Sequence, residues 1–162
     1  MHGQEFQLKM MGKLFILLFF HTLMVTSENY GIVVHGGAGV LSNLTEAQQK
    51  NIEQKLTKTL IASYQILENG GSSLDAVEFA VSELEDSPLF NAGKGSVYAS
   101  NETQEMDASI MYGKNRLAGA VASVKVIKNP IKLARVVAEE TSHVLLVGDG
   151  AESFAKKNGL DI

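Results

Sequence analysis

Three stretches of the chain hold residues able to do chemistry. Residues 35–39 read HGGAG at the end of an apolar run. Glycines there let backbone N–H groups face outward, which suits an oxyanion or a phosphate; a tight turn after a strand explains them as well. No Gly-Lys-Ser/Thr follows, so this is not a Walker loop. The next helix signal comes too late for a dinucleotide fingerprint. Residues 84–96 read LEDSPLFNAGKGS. A helix end followed by a glycine-rich loop exposes carbonyl oxygens, hard ligands suited to a hard cation. Asn91 stands there between Phe90 and Ala92, either as a functional amide or as an ordinary turn residue. The third stretch carries the acidic pair Glu105 and Asp107, readable as a general base or as an exposed strand start. His2, His21, His35 and His143 show no metal-binding spacing, and His143 reads as structural. Asp149, between two glycines, is a natural turn residue. There is no Gly-x-Ser-x-Gly elbow and no complete catalytic constellation.

Composition narrows the classes. A formal charge of -4 and the absence of any basic block argue against a general nucleic-acid binder. With no cysteine, disulfides, thiolate zinc sites and a cysteine nucleophile are excluded. At 162 residues the chain is long enough for one domain with a real core.

The elements that must position these residues follow from periodicity. Residues 31–35 (GIVVH) predict a strand stopped by the glycine turn. Thr45 with Gln48 forms a capping-box pattern. Ile52, Leu56, Leu60, Tyr64 and Leu67 then recur at helical spacing up to Gly70-Gly71. Ser72 or Ser73 can cap a second helix with Leu74, Val77, Val81 and Leu84 on its apolar face, stopped by Pro88. Residues 108–112 and 118–126 predict a hairpin through Gly113-Lys114-Asn115. Asn129-Pro130 starts a third helix that buries Leu133, Ala134, Val137 and Ala138. Residues 144–147 predict a strand, and a short helix ends near Gly159. The mixture, with a hairpin breaking the alternation, favours an α+β layered architecture over a doubly wound sheet.

The first thirty residues are a separate matter. Residues 14–25 (LFILLFFHTLMV) are nearly all apolar, follow Lys9 and Lys13, and precede the short residues Thr26 and Ser27. That is the layout of a secretory signal over residues 1–27, with residues 28–162 as the mature region. A membrane span needs about 20 apolar residues, more than this run offers. A buried core helix is the third reading. Asn43-Leu44-Thr45 and Asn101-Glu102-Thr103 fit the N-glycosylation pattern.

Taken in order, the motifs resemble a known family. HGGAG at 35–39, GGSSLDAV at 70–77, LEDSPLFNAGKGSV at 84–97, MDASIM at 106–111 and NPIKLAR at 129–135 look like the α-subunit of isoaspartyl peptidase/plant-type asparaginases, from Ile32 onward. The resemblance implies an N-terminal-nucleophile hydrolase with an αββα four-layer sandwich, of which this chain supplies about the N-terminal half. Such a precursor cuts itself. A threonine then heads the β-subunit, its hydroxyl attacks an amide carbonyl, its α-amino group acts as base, and water releases aspartate from the acyl-enzyme. The implied substrates are L-asparagine and β-aspartyl dipeptides, and the implied assembly is (αβ)2.

Carried over residue by residue, His35, Gly36, Gly37 and Gly39 match the glycine loop that supports the active site, and Asn91 matches an asparagine close to the catalytic threonine. Leu84, Glu85, Ser87, Phe90, Ala92 and Lys94 match a loop holding a structural sodium ion through backbone oxygens; no organic cofactor is implied. The catalytic threonine and the residues that hold the substrate's α-groups belong to a part beyond Ile162, so this chain alone is expected to be inactive. The related lysosomal glycosylasparaginases, which begin with a signal, rank second because their loop differs from residues 90–96. A non-catalytic secreted protein is a further alternative. A working signal places the protein in the secretory pathway, secreted or lysosomal, with no membrane attachment after its removal; without one it is cytoplasmic.

Overall fold

In the computed structural model, residues 30–39 and 44–162 are described. The chain divides after Tyr30, and the unit Gly31–Ile162 carries the elements discussed below. The expected signal segment and Asn43 lie outside the described residues.

Helix α1 spans Glu46–Glu68. Thr45 accepts the Gln48 N–H through its hydroxyl while the Gln48 side chain accepts the Thr45 N–H, so two orphan donors of the first turn are satisfied. The helix stops at Asn69 and Gly70, where φ is +82° and the Gly71 N–H reaches back to the Ile66 carbonyl at 2.8 Å. Helix α2 spans Ser73–Glu85 and opens on a second capping box, Ser72 with Asp75. The Ser72 hydrogen bond and then Arg135 hold the Asp75 carboxyl below the usual carboxylate range. Lys55 of α1 pairs with Glu83 of α2 at 2.6 Å.

The sheet has three strands in the order β1-β2-β3. Strand β1 (Met106–Tyr112) pairs antiparallel with β2 (Leu117–Val124), with Ile110 opposite Gly119. Strand β3 (Leu145–Val147) lies parallel to β2, reached through helix α3 (Pro130–Glu140). Helix α4 (Gly148–Lys157) follows at once. The core gathers Ile110, Val121 and Val124 from the sheet with Leu133, Ala134 and Val137 from α3 and Ala151 and Ala155 from α4. Gly119 makes this packing possible: a Cβ there would stand 2.2 Å from the Ala134 carbonyl oxygen, so α3 sits directly on the β2 backbone. Arg135 ties α3 to α2 through Asp75 and Glu78, each at 2.8 Å. Mixed helices and a small sheet make this an α+β chain.

The opposite face of the sheet is left open by the described residues. Met111, Leu145 and Val147 are exposed there, and the β2 positions they flank are Ala118, Ala120 and Ala122. Two expectations require correction. Residues 31–35 form no strand: the run is extended in burial pattern, with Val33 94% exposed, but no hydrogen-bonded ladder partner is found for it among the described residues. A strand is a pairing relationship, and local propensity cannot supply the partner. On α1, the buried residues are Thr59 and Ser63, whereas Leu60 and Tyr64 of the expected apolar face are exposed.

Candidate functional site

The segment after α2 folds back on itself, and two glycines allow it. A Cβ at Gly93, where φ is +50°, would meet the Glu85 carbonyl oxygen at 2.4 Å; one at Gly95 would meet the Phe90 carbonyl oxygen at 2.2 Å. Only residues without a side chain permit such contact with a carbonyl. A short 3-10 turn, Gly93–Gly95, closes the segment, and the Ser96 hydroxyl donates to the Gly93 carbonyl at 2.7 Å. Phe90 is buried and Asn91 exposed. The Asn91 Oδ1 accepts the Val97 N–H at 2.9 Å, which leaves the Nδ2 hydrogens as the end of the amide available to other partners.

Residues 35–39 approach this segment from the other side. The Gly37 N–H donates to His35 Nδ1 at 3.1 Å, so the histidine braces its own turn, and Gly37 has φ +99°. Gly36 wedges between Leu56 of α1 and Phe90, with its Cβ position 3.2 Å from each. The result is a groove of about 960 Å³ lined by His35, Gly36, Gly37, Ala38 and Gly39 on one wall and Phe90, Asn91 and Ala92 on another. The structure thus brings together the glycine turn and Asn91, which lie about fifty positions apart in the chain.

Of the six residues matched to a cation loop, Leu84, Phe90 and Ala92 use one carbonyl lone pair each, accepting the N–H groups of Ser87, Ala92 and Gly95 at 2.9 to 3.1 Å. A carbonyl oxygen has two lone pairs, so each keeps one for a hard cation. Glu85 and Ser87 are buried, and Lys94 is exposed within the 3-10 turn. Among the described residues no three His, Asp or Glu side chains gather as a metal site.

The Glu85 side chain has a role the sequence did not disclose. Its carboxyl accepts the Ile131 N–H at 3.0 Å and so caps α3, in the place expected of Asn129. Asn129 turns instead to Asp86, donating through Nδ2 at 3.1 Å. Burial pushes the Glu85 carboxyl up to about 7 despite that backbone donor. Glu85 Oε2 and Asn129 Oδ1 are buried and have no protein partner among the described residues.

The acidic pair is placed elsewhere. Glu105 accepts the Ser123 hydroxyl at 2.5 Å and Asp107 accepts the Ser123 N–H at 2.8 Å. The Ser123 bond, with Asn101 and Lys125, pulls the Glu105 carboxyl down to about 2, which makes it a poor base near neutral pH. Neither Glu105 nor Asp107 lines the groove. His143 is exposed, and its N–H donates to the Thr141 hydroxyl oxygen.

An α+β chain with a groove between a glycine turn and a glycine-punctuated loop defines the class. Comparison with known proteins gives the family: the profile described as Asparaginase matches residues 28–162, and the chain belongs to that family. Among its relatives, the isoaspartyl peptidase/L-asparaginase of Bos taurus is 50% identical over 129 residues, covering 80% of this chain and 41% of the relative. The protein of the same name from Mus musculus is 49% identical over 129 residues, covering 80% and 39%. The plant-type L-asparaginase of Thermococcus kodakarensis is 48% identical over 130 residues, covering 80% and 42%. The chain therefore spans about two fifths of the length of these relatives.

Proposed function

We propose that residues 28–162 are the α-subunit part of a threonine-nucleophile amidohydrolase that releases aspartate from L-asparagine and β-aspartyl dipeptides, and that they need a β-subunit from the same precursor to do so. The single observation that carries this reading is the groove that gathers His35, Gly36, Gly37, Gly39 and Asn91. The family and the names of the relatives support the reaction class.

In this reading the β-subunit supplies the threonine, whose hydroxyl attacks the amide carbonyl with its α-amino group as base. This chain supplies the walls. The Asn91 amide, oriented by Val97, presents Nδ2 donors beside the nucleophile. The turn at His35 sets the groove's other wall. Leu84, Glu85, Ser87, Phe90, Ala92 and Lys94 offer backbone oxygens to a sodium ion, which would fix the loop that carries Asn91. The apolar sheet face left open by the described residues, with Met111 and Val147 exposed, supports an αββα sandwich completed by a second sheet, in an (αβ)2 assembly. Residues 1–27 act as a secretory signal.

Asn91 variants test the site in a protein that holds both halves, made by joining residues 28–162 to the C-terminal remainder of the Bos taurus relative. Asn91→Asp keeps the acceptor for Val97 and removes both donors, and Asn91→Ala removes both functions. Each is expected to lower kcat on the order of a hundredfold, the scale of one lost transition-state donor. Unchanged kcat in a folded Asn91→Asp protein would remove Asn91 from the site.

A further inference from the structure

We infer that Asn101 is an N-glycan acceptor, an inference that rests on residues 1–27 delivering the chain to the secretory lumen. Asn101-Glu102-Thr103 has the acceptor spacing, and Asn101 is exposed at a turn between the loop and β1. The turn closes on itself: the Ala99 N–H donates to the Thr103 carbonyl at 2.8 Å and the Glu102 N–H to the Ala99 carbonyl at 3.0 Å. Glu102 lies in the left-handed region at φ 62°. These bonds join residues within five positions, so the conformation can form as the segment emerges, before the long-range fold.

The turn also arranges the reacting groups. The Thr103 hydroxyl donates to Asn101 Oδ1 at 2.7 Å, and the Thr103 N–H donates to the same oxygen at 3.1 Å. Two donors on the amide oxygen draw charge from nitrogen and make the Nδ2 hydrogens more acidic. One of those hydrogens is used by Glu105 Oε1 at 3.2 Å, and the amide has two. The co-reactant is a polyprenyl-pyrophosphate-linked oligosaccharide. A bond forms from Nδ2 to the anomeric carbon, the bond from that carbon to the pyrophosphate oxygen breaks, Nδ2 loses one proton to the transferase, and polyprenyl pyrophosphate departs. The hydrogen that remains can still serve Glu105. Asn101 does not line the groove.

The second triplet is built differently. Thr45 donates its hydroxyl to Gln48 Oε1 at 3.0 Å and accepts the Gln48 N–H at 3.3 Å, so it serves as the cap of α1. The two triplets thus give a comparison within one chain.

The full chain is translated with endoplasmic-reticulum microsomes in two versions, one with its own residues 1–27 and one with those residues replaced by a leader of proven function. The readout is a mass increase removed by N-glycosidase, with protease protection as the measure of entry. With the proven leader, the increase is expected in the parent and in Asn43→Gln, and is expected to fall by one glycan in Asn101→Gln and in Thr103→Ala. Thr103→Ser retains the hydroxyl and is expected to keep the glycan. A protected chain with no increase overturns the acceptor site, as does an increase lost in Asn43→Gln and unchanged in Asn101→Gln. An increase at Asn101 seen only with the proven leader upholds the acceptor and overturns the signal reading of residues 1–27.

Discussion

The Glu85 carboxyl accepts the Ile131 N–H at 3.0 Å, so the last residue of α2 caps the first turn of α3. One side chain joins the start of the loop that carries Asn91 to the helix that covers the sheet. With its carboxyl raised from 4.5 to about 7, Glu85 favours the folded state in its neutral form. That stability is fully present below the unfolded value and is lost as pH rises through the folded one. Between about pH 4.5 and 7 the unfolded chain ionises first, so stability is expected to fall by about 3 kcal/mol from this group. Glu85→Gln keeps an acceptor for Ile131 and cannot ionise. Denaturant unfolding of the two-part protein in sodium-free buffer should give a flatter profile for Glu85→Gln than for the parent across that window. Parallel profiles would show that Glu85 does not titrate there.

Gly93, Gly95 and Gly119 each hold a backbone too close for a Cβ, at 2.4, 2.2 and 2.2 Å from a carbonyl oxygen. Alanine at each is expected to cost about 1–3 kcal/mol, the range of overpacking. Gly93→Ala adds strain from its φ of +50°. Gly113 meets nothing within 4 Å, so Gly113→Ala is the control, expected to change stability by less than about 0.5 kcal/mol. Thermal unfolding of the four variants checks the ranking.

Ser123 sits in the left-handed region at φ 55°, with its hydroxyl on Glu105 and its N–H on Asp107. Ser123→Gly removes the backbone strain and Ser123→Ala keeps it, so the alanine variant is expected to be less stable than the glycine variant by about 1 kcal/mol. Both lose the hydroxyl, so the Glu105 carboxyl should move up from about 2 towards the ordinary carboxylate range in NMR titration.

Local chemistry was the legible part of the fold. The caps at Thr45 and Ser72 and the hairpin through Gly113 depend on residues within a few positions of one another. What depended on distant partners was not legible. Residues 31–35 have strand composition but no ladder among the described residues, because a ladder needs another strand. The stripe from Ile52 to Tyr64 reads as a core face, yet α1 buries Thr59 and Ser63, because the elements that pack on a helix, not its own spacing, decide which side is covered. Glu85 was matched to a cation loop for its backbone oxygen; its side-chain cap on Ile131 spans 46 positions and leaves no local signal. The same limit applied to the site. Each motif alone read as a turn, and only their order, resembling a family, suggested that the glycine turn and Asn91 serve one site. Their meeting in one groove is a tertiary fact, made by Gly36 against Leu56 and Phe90.

Aspartate release from a β-aspartyl dipeptide is the most direct test of a groove completed by a second subunit. It should be measured for residues 28–162 alone and for the same residues joined to the C-terminal remainder of the Bos taurus relative. Residues 28–162 alone are expected to release none, and the joined protein is expected to release aspartate after exposing a new N-terminal threonine. Turnover by residues 28–162 alone that is lost in Asn91→Ala would contradict the assignment of the nucleophile to the second part, and a joined protein that folds without releasing aspartate would contradict the amidohydrolase reading itself.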